Sequence, residues 1–363
     1  NKTHPIIVLG AEDPPRDYLV ALREFTKKNP VNDILNYSAD SIDSWSPKNL
    51  SDPSQLIDKT IDIISSNQKT VIQGPPGTGK TYLIAEICDY YLNKNMRICI
   101  TALTHKALTE AAIKEGLVQA AENGKIHKVN VSADESVLIP ALQNHDVSKP
   151  IPKGDLLLAT YYSLSKLLMQ NDEHVYFDLL IIEEASQAFL TTIAGFGSLS
   201  KKILIVGDFM QLQPIVLEEK RAINIDKNIL TLIHGLKTYS TNNEVFSYRL
   251  INSYRLTKQS ADQTGIFYDN SLKSLSSEKG IRLHGKYSDL FCTEGGTSLF
   301  YLVNMDEGKT PINAIDLVIK IVHEIKLEFP NKKVAVLAAF RDTVNSIVDR
   351  MLNFKMSFNN LEV

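Results

Sequence analysis

The sequence has few of the residues that mark secreted, metal-binding or membrane-spanning proteins. Its three cysteines, Cys88, Cys99 and Cys292, lie far apart, so they form neither a disulfide framework nor a zinc knuckle. The eight histidines show no metal-ligand spacing. No apolar run approaches the ~18 residues of a membrane span, and no signal-peptide pattern opens the chain. These absences predict an intracellular protein, cytoplasmic or nuclear, in a reducing compartment and without a membrane partner.

An excess of one charge is also missing. The 39 basic and 42 acidic residues leave a net charge of −3, so any nucleic-acid groove must be local. Aromatic residues are not interleaved with a basic stripe, and sequence-specific base reading is therefore not predicted. There is no internal repeat or low-complexity tract. With 363 residues, 44% of them hydrophobic, the chain is long enough for two globular domains.

What the sequence does contain is a regular alternation of short β-rich runs and helical stretches from Lys69 onward. The runs are "TVIQ", "ICITAL", "LLLAT", "LLII" and "ILIV". This alternation predicts an α/β fold with a parallel sheet and crossover helices. Residues 117–153 are polar and irregular, and we expect a small insertion that interrupts this sheet.

A second set of elements follows. "SLFYLV" and "VAVLAA" are predicted strands around a helix with the apolar face Ile312, Ile315, Ile319, Val322 and Ile325. Near the start, "PIIVLG" could be a strand and "RDYLVALREFTKK" a helix, and the Pro/Ser-rich segment before residue 55 a linker or loop. The chain begins at Asn1 rather than at methionine, as a fragment of a longer polypeptide would.

The segment "GPPGTGKT" at 74–81 fits the phosphate-binding loop pattern. It follows a predicted strand and opens a helix, a context that makes a plain glycine-rich turn a poor alternative. Glycines let successive backbone N–H groups curl around phosphate oxygens. The lysine reaches the β- and γ-phosphates, and the last hydroxyl binds Mg²⁺. The predicted ATP and Mg²⁺ ligands are Gly74, Pro75, Pro76, Gly77, Thr78, Gly79, Lys80 and Thr81.

Two adjacent acids end the buried run in "DLLIIEEASQA". Charges at the carboxyl end of a parallel strand lie where open α/β folds bind ligands, although a solvated strand end is the alternative reading. In a protein with a phosphate loop, one such carboxylate holds the Mg²⁺ shell and the next orients water. We therefore expect Glu183 to be a metal ligand and Glu184 to be catalytic.

Together, "GPPGTGKT", "IIEEASQ" and "VGDFMQLQP" at 206–214 resemble the superfamily 1 helicases with an AAA-type phosphate loop, specifically the branch of senataxin and the nonsense-mediated-decay RNA helicase. The resemblance implies two RecA-like domains, at 51–240 and 241–363, after an accessory segment and linker at 1–50. ATP is expected in the cleft between the two domains. The second domain is expected to be incomplete, because the family's last two motifs do not occur before Val363.

The resemblance also assigns roles around the nucleotide. Gln55 would read adenine, Gln211 would sense the γ-phosphate, and Tyr254 would stack on the base. In "LINSYRL", Arg255 is the expected arginine finger. Because "SYRL" occurs twice, Arg249 is the other candidate, and we interpret it as structural.

Two further segments, "TALTHKAL" at 101–108 and "LLLATYYSL" at 156–164, look like the family's contacts with the nucleic-acid backbone. They supply Thr104, His105, Lys106 and Thr160. For His105 and Lys106, a plain polar loop after a strand remains the open alternative.

By resemblance, the chain is an ATP-driven translocase or helicase that moves 5′ to 3′ on single-stranded DNA or RNA, and that has protein partners or further domains outside this chain. An ATP-gated binding switch without unwinding is the alternative. It is favoured by Glu183 and Ser253, where the family has aspartate and glutamine, and by the divergent "LAAFRDT" at 337–343. A nucleotide or metabolite kinase is disfavoured, because "GDFMQLQP" has no use in such an enzyme.

Overall fold

The computed structural model describes residues 15–29, 47–139, 141–170, 174–214, 232–240, 246–291, 310–338 and 340–353. These divide into two compact units. The first contains residues up to Arg255 together with 264–274, and the second contains 256–263 and the residues from Leu275 onward. The predicted strands "PIIVLG" and "SLFYLV" lie outside the described residues.

The first unit is built on one sheet. Its strands within the described residues are β1 (Lys48–Leu50), β2 (Lys69–Gln73), β3 (Ile98–Ala102), β4 (Ile126–Lys128), β5 (Gln143–Asn144), β6 (Leu156–Thr160), β7 (Phe177–Ile182), β8 (Ser200–Gly207) and β9 (Phe246–Leu250). They lie in the order β1-β9-β2-β8-β7-β3-β6-β4-β5, and every pairing is parallel. The predicted α/β class with a parallel sheet is confirmed.

Helices cover both faces of this sheet. They are α1 (Pro15–Lys28), α2 (Leu56–Ser66), α3 (Lys80–Asn93), α4 (His105–Ala112), α5 (Glu115–Glu122), α6 (Ala133–Leu138), α7 (Tyr161–Leu164), α8 (Leu190–Ser198) and α9 (Gly235–Ser240). Single 3-10 turns span Pro53–Gln55, Ser165–Met169 and Ala185–Gln187. Because both faces are covered, β3, β6 and β7 are buried along their whole length, which explains their uninterrupted apolar sequences.

The elements flanking this central region differ from the sequence predictions. The segment at 117–153 does not interrupt the sheet. Instead, β4 pairs with β6 and β5 pairs with β4, so the segment extends the sheet at one edge. Two- and three-residue strands carry too little periodicity to be recognised from sequence.

At the other edge, β1 arises from the predicted linker and pairs with β9. The predicted boundary at residue 240 therefore precedes a strand that belongs to the first unit's sheet. The predicted helix near the start is present as α1, and it packs into the core of the first unit through Tyr18, Leu22 and Phe25. The helix packs there because one of its faces is apolar, and it does not form a separate accessory fold.

Among the described residues, the remaining elements are a two-stranded parallel pair, β10 (Asn252–Ser253) with β11 (Lys273–Ser274), and three helices, α10 (Lys258–Gly265), α11 (Ile312–Glu328) and α12 (Arg341–Asn353). Further 3-10 turns span Ile266–Tyr268 and Ser288–Leu290.

In the second unit, α11 and α12 pack through Ile315, Ile319, Val322, Ile347 and Met351. The predicted strand "VAVLAA" is not a strand in the described residues 332–338, although Val334, Val336 and Ala338 alternate with more exposed neighbours. A strand needs a hydrogen-bonded neighbour, and the one expected from the sequence lies outside the described residues. Within the described helices, none is both long and apolar enough to cross a membrane.

Candidate active site

The predicted phosphate loop connects β2 to α3 at the carboxyl edge of the sheet. Gly77 and Gly79 have φ angles of 73° and 78°, a left-handed conformation that glycine adopts without steric cost. At Gly74 the requirement is space, because a Cβ there would lie 2.2 Å from Lys80 Cγ. The Thr78 hydroxyl donates to the Pro75 carbonyl at 2.8 Å and closes the turn. The loop therefore has the backbone that its sequence predicts.

Lys80 begins α3 and bends back over the loop. Its Nζ donates to the Gly74 carbonyl at 2.6 Å. Burial lowers the pKa of Lys80, with a smaller contribution from the Arg255 guanidinium, whereas Asp208 and Glu183 act in the opposite direction. The lysine thus lies among the groups that the sequence assigns to the nucleotide.

Glu183 and Thr81 meet across the loop. The Thr81 hydroxyl donates to Glu183 Oε1 at 2.7 Å, although the two residues are far apart in sequence. Glu183 is only 4% exposed, and its Oε2 has no hydrogen-bond partner among the described residues. Burial raises the pKa of Glu183 to about 7. A buried carboxylate oxygen without a partner costs free energy unless a donor or cation satisfies it.

These two oxygen-bearing side chains fit Mg²⁺, which prefers hard oxygen ligands and usually takes one or two carboxylates together with substrate phosphates. In the described part of the chain, no cluster of three or more His, Cys, Asp or Glu residues could hold a metal by itself. A cation held by Thr81 and Glu183 would therefore take its other ligands from phosphate and water.

Glu184 has different surroundings from Glu183. It is the second residue after β7, it adopts a left-handed backbone with φ of 52°, and it is exposed. Partial burial of its carboxylate, and then the Glu110 carboxylate on α4, raise its pKa. The sequence reading did not select Glu110, which lies on the helix that follows a different strand.

Residues 253–255 lie directly on the phosphate loop. The Tyr254 backbone N–H donates to the Gly77 carbonyl at 2.9 Å, and the Ser253 hydroxyl donates to the Pro76 carbonyl at 3.0 Å. A Cβ added at Gly77 would lie 2.5 Å from Arg255 Cβ. The structure therefore brings Tyr254 and Arg255 to the loop, whereas Gln55 is exposed at the end of the 3-10 turn before α2.

The predicted γ-phosphate sensor is anchored through Asp208, at the end of β8. Gln211 Nε2 donates to Asp208 Oδ2 at 3.0 Å, and the Tyr268 hydroxyl donates to the same oxygen at 2.7 Å. Gln73 Nε2 donates to the other carboxylate oxygen at 3.2 Å. Asp208 is only 1% exposed, so its charge is compensated by these donors.

Arg249 completes this network from β9. Its Nε donates to Gln73 Oε1 at 2.8 Å, and its Nη1 donates to the Asp269 carboxylate at 2.8 Å. The side chain is buried and held at both ends, which agrees with the structural role that the sequence analysis gave it.

Residues 58–216 match a family model described as an AAA domain. The chain is similar to the "DNA replication ATP-dependent helicase/nuclease DNA2" of Saccharomyces cerevisiae, with 26% identity over 234 residues that cover 62% of this chain and 14% of that protein. For the human protein of the same name, the identity is 24% over 235 residues, which cover 61% of this chain and 21% of that protein.

The chain is thus similar in sequence to proteins named as ATP-dependent helicase/nucleases. It spans about a fifth or less of the length of these curated relatives. Among solved structures, an arterivirus nonstructural protein 10 helicase in complex with DNA has a TM-score of 0.38 and 13% identity, covering 66% of this chain and 52% of that one. The Pif1 helicase of Candida albicans has a TM-score of 0.31 and 16% identity, with coverages of 59% and 42%. Placement in the senataxin branch stays a prediction.

The structure places the predicted nucleic-acid residues in different environments. Thr104 and Thr160 both cap helices, since their hydroxyls accept hydrogen bonds from Ala107 N and Ser163 N. Thr160 is only 3% exposed and also donates to the Ser163 hydroxyl, so the structure does not present it at the surface. His105 and Lys106 are exposed at the start of α4.

Sequence reasoning missed the residues that support this site from other elements. Tyr268 and Gln73 were not selected, although both donate to the buried Asp208 carboxylate. Lys128 was also missed, and it is fully buried beside His105. The segment "IHK" contains one apolar residue and two polar ones, so no local signal marked this lysine as buried.

Proposed function

We propose that this chain is the ATP-hydrolysing part of a helicase or translocase that moves 5′ to 3′ on single-stranded DNA or RNA. The observation that carries the proposal is the contact between Thr81 and Glu183, with one buried carboxylate oxygen left over beside Lys80. A phosphate loop facing a buried carboxylate in this way suits a nucleoside triphosphate bound with Mg²⁺. Similarity to proteins named as ATP-dependent helicase/nucleases supports the same conclusion.

We assign a role to each residue from its surroundings and from the resemblance stated above. Lys80 and the loop N–H groups bind the β- and γ-phosphates, and Thr81 and Glu183 hold Mg²⁺. When bound, Mg²⁺ neutralises charge that develops on the transferred phosphoryl group. Glu184, exposed and with a raised pKa, positions the attacking water and accepts its proton.

The remaining groups act on the phosphoryl oxygens and the base. Gln211, held by Asp208, senses the γ-phosphate, and Arg255 neutralises charge in the transition state. Tyr254, which is 50% exposed next to the loop, offers a ring for stacking on the base, and Gln55 is assigned to adenine. The buried free cysteines Cys88 and Cys99 support an intracellular, reducing location.

The second candidate function is an ATP-gated nucleic-acid switch without unwinding. It is favoured by Ser253, which bonds to the phosphate loop at a position where the resembling family has glutamine. The glutamate at position 183, where the resembling family has aspartate, is a weaker argument for the switch, because its carboxylate still accepts a hydrogen bond from Thr81.

Steady-state ATPase assays with and without single-stranded oligonucleotides separate these functions. A translocase should be stimulated strongly by DNA or RNA single strands, and it should open duplexes with a 5′ overhang in preference to those with a 3′ overhang. Lys80→Ala is the control, and it should abolish nucleotide binding or hydrolysis. Hydrolysis that survives in Lys80→Ala would overturn the site assignment. Unstimulated hydrolysis with ATP-dependent strand binding would support the switch instead.

A further inference from the structure

A fully buried lysine lies behind the exposed start of α4. Lys128, the last residue of β4, has no exposed surface, and a buried ammonium needs partners for its charge and its protons. Its Nζ lies 2.8 Å from His105 Nδ1, 3.1 Å from the Asn130 carbonyl and 3.0 Å from Glu135 Oε2. An ammonium has three donors and no acceptor, so these three contacts use all of its protons.

This contact determines which His105 nitrogen carries the ring proton. Because Lys128 can only donate, His105 Nδ1 must accept, and the proton of the ring is on Nε2. An imidazolium would place an N–H against the ammonium, so the ring is held neutral. Burial, and then the positive charge of Lys128, lower the pKa of His105, and Glu135 opposes this shift.

Glu135 holds the lysine in position from the other side. Its two carboxylate oxygens accept from Lys128, from the Thr109 hydroxyl on α4 and from the Ser132 backbone N–H. The charged groups that face His105 from neighbouring elements are therefore Lys128 on β4 and Glu135 on α6. This arrangement links the edge extension of the sheet to the turn where β3 ends and α4 begins.

We infer that Lys128 is a positioning residue that presents His105 as a neutral Nε2–H donor to a phosphate oxygen of a bound single strand. The inference rests on the proposed function, since it names the chemistry of one contact with the strand. A neutral donor adds affinity and orientation without adding charge. It therefore differs from Lys106, the exposed neighbour, whose charge would displace a counterion from the strand.

A pair of substitutions tests the donor atom. The amide nitrogen of His105→Gln reaches about where Nε2 lies, whereas the shorter His105→Asn reaches only to the position of Nδ1. Binding of a fluorescent single-stranded oligonucleotide to the full chain should stay close to wild type in His105→Gln. In His105→Asn it should weaken by about three- to ten-fold, the usual value of one hydrogen bond. Equal affinities of the two variants would overturn the inference.

The salt dependence of single-strand binding tests the charge state of His105. The slope of log affinity against log salt should be unchanged in His105→Asn, whereas the matched control Lys106→Ala should flatten it by about 0.7. A slope that flattens equally in His105→Asn would show a charged histidine and would overturn the inference.

A third measurement does not involve nucleic acid. Nitrogen-15 NMR of the free chain should show His105 as the Nε2–H tautomer at neutral pH. Lys128→Met, whose side chain has a similar length, should remove the preference for the Nε2–H tautomer and raise the pKa of His105 toward its ordinary value. An Nδ1–H tautomer in the wild-type chain overturns the inference even if Lys128→Met fails to fold. Failure of the wild-type chain to bind any single strand overturns the proposed function instead, and the tautomer result distinguishes the two failures.

Discussion

At the scale of single residues, the adjacent acids Glu183 and Glu184 show that two identical side chains can have very different surroundings. Glu183 is buried against Thr81, whereas Glu184 is exposed and has a left-handed backbone. The buried carboxylate suits a cation and the exposed one suits a water molecule. The sequence predicted that both acids lie at the sheet edge. The difference in their burial is visible only in the folded chain.

This division predicts different defects for matched substitutions. Glu184→Gln should keep Mg²⁺-dependent nucleotide binding and lower turnover by about 10²-fold or more, because an amide cannot accept the proton of water. Glu183→Gln should weaken Mg²⁺-dependent binding instead. Titration of a fluorescent nucleotide with and without Mg²⁺, together with ATPase rates, measures both effects. If the two variants lose binding and turnover in the same proportion, the residues do not have separate roles.

At the scale of elements, the phosphate loop is held by glycines that serve different purposes. Gly77 and Gly79 share the left-handed conformation, but a Cβ at Gly77 would lie 2.5 Å from Arg255 Cβ, whereas one at Gly79 would lie 4.0 Å from the Tyr254 ring. Gly77 is therefore also a point of close packing between the loop and residues 253–255.

We predict that Gly77→Ala is more damaging than its matched control Gly79→Ala. Both should lose about 1–2 kcal/mol of folding free energy from the left-handed backbone. Gly77→Ala should lose a further ~1–3 kcal/mol through overpacking and should disturb the position of Arg255. Denaturant unfolding and nucleotide affinity measure the two effects. Equal losses in both variants would show that the contact with residues 253–255 does not matter.

The ion pair between β4 and α6 gives a prediction with a defined pH dependence. The backbone N–H of Ser132, the Thr109 hydroxyl and Lys128 together outweigh burial and lower the pKa of Glu135 to about 2. A carboxylate with a lowered folded-state pKa stabilises the fold above its ordinary pKa, and this stability is lost as the pH falls toward the folded value. The stabilisation should therefore be complete at neutral pH and decline from about pH 4.5 to about pH 2.

Glu135→Gln should destabilise the chain at pH 7 by about 1.5–3 kcal/mol, because the buried ammonium of Lys128 loses its charged partner. The difference from wild type should shrink as the pH is lowered through that range. Urea unfolding at several pH values measures it, with Glu122→Gln, an exposed residue of α5, as the control. A difference that stays constant down to pH 2 would contradict the ion pair.

At the scale of the whole molecule, the candidate nucleotide residues all belong to the first unit, which includes residues up to Arg255 and 264–274. We predict that a polypeptide of residues 1–274 folds cooperatively and binds Mg²⁺-nucleotide within about tenfold of the affinity of the full chain. Isothermal titration of both polypeptides measures this, with Lys80→Ala in each as the control. A shorter polypeptide that is unfolded, or that folds without binding, would show that the nucleotide site depends on the second unit.

The sequence predicted the parts of this molecule that are contiguous along the chain. The phosphate loop is eight consecutive residues, and the central strands are uninterrupted apolar runs because both of their faces are covered. These two features led to the parallel sheet and to the predicted ATP ligands.

The parts that escaped prediction depend on distant segments. The contacts of Asp208 with Tyr268 and of Lys128 with His105 join residues from separate elements, and no local periodicity records such pairs. The edge strands β4 and β5 are too short to show alternation, and β1 lies in a sequence with the composition of a loop. The late boundary of the first unit follows from the pairing of β9 with β2, which only the folded chain shows.

The position of β2 has a consequence for how the protein is made. Its two neighbours in the sheet, β8 and β9, both come much later in the chain than β2 itself. A ribosome adds about 5–20 residues per second, so β2, which precedes the phosphate loop, is synthesised several seconds before either of its neighbours. During synthesis, we therefore expect the nucleotide site to be completed only after Arg255 has left the ribosomal tunnel, so that ATP stabilises only a chain that is already this long.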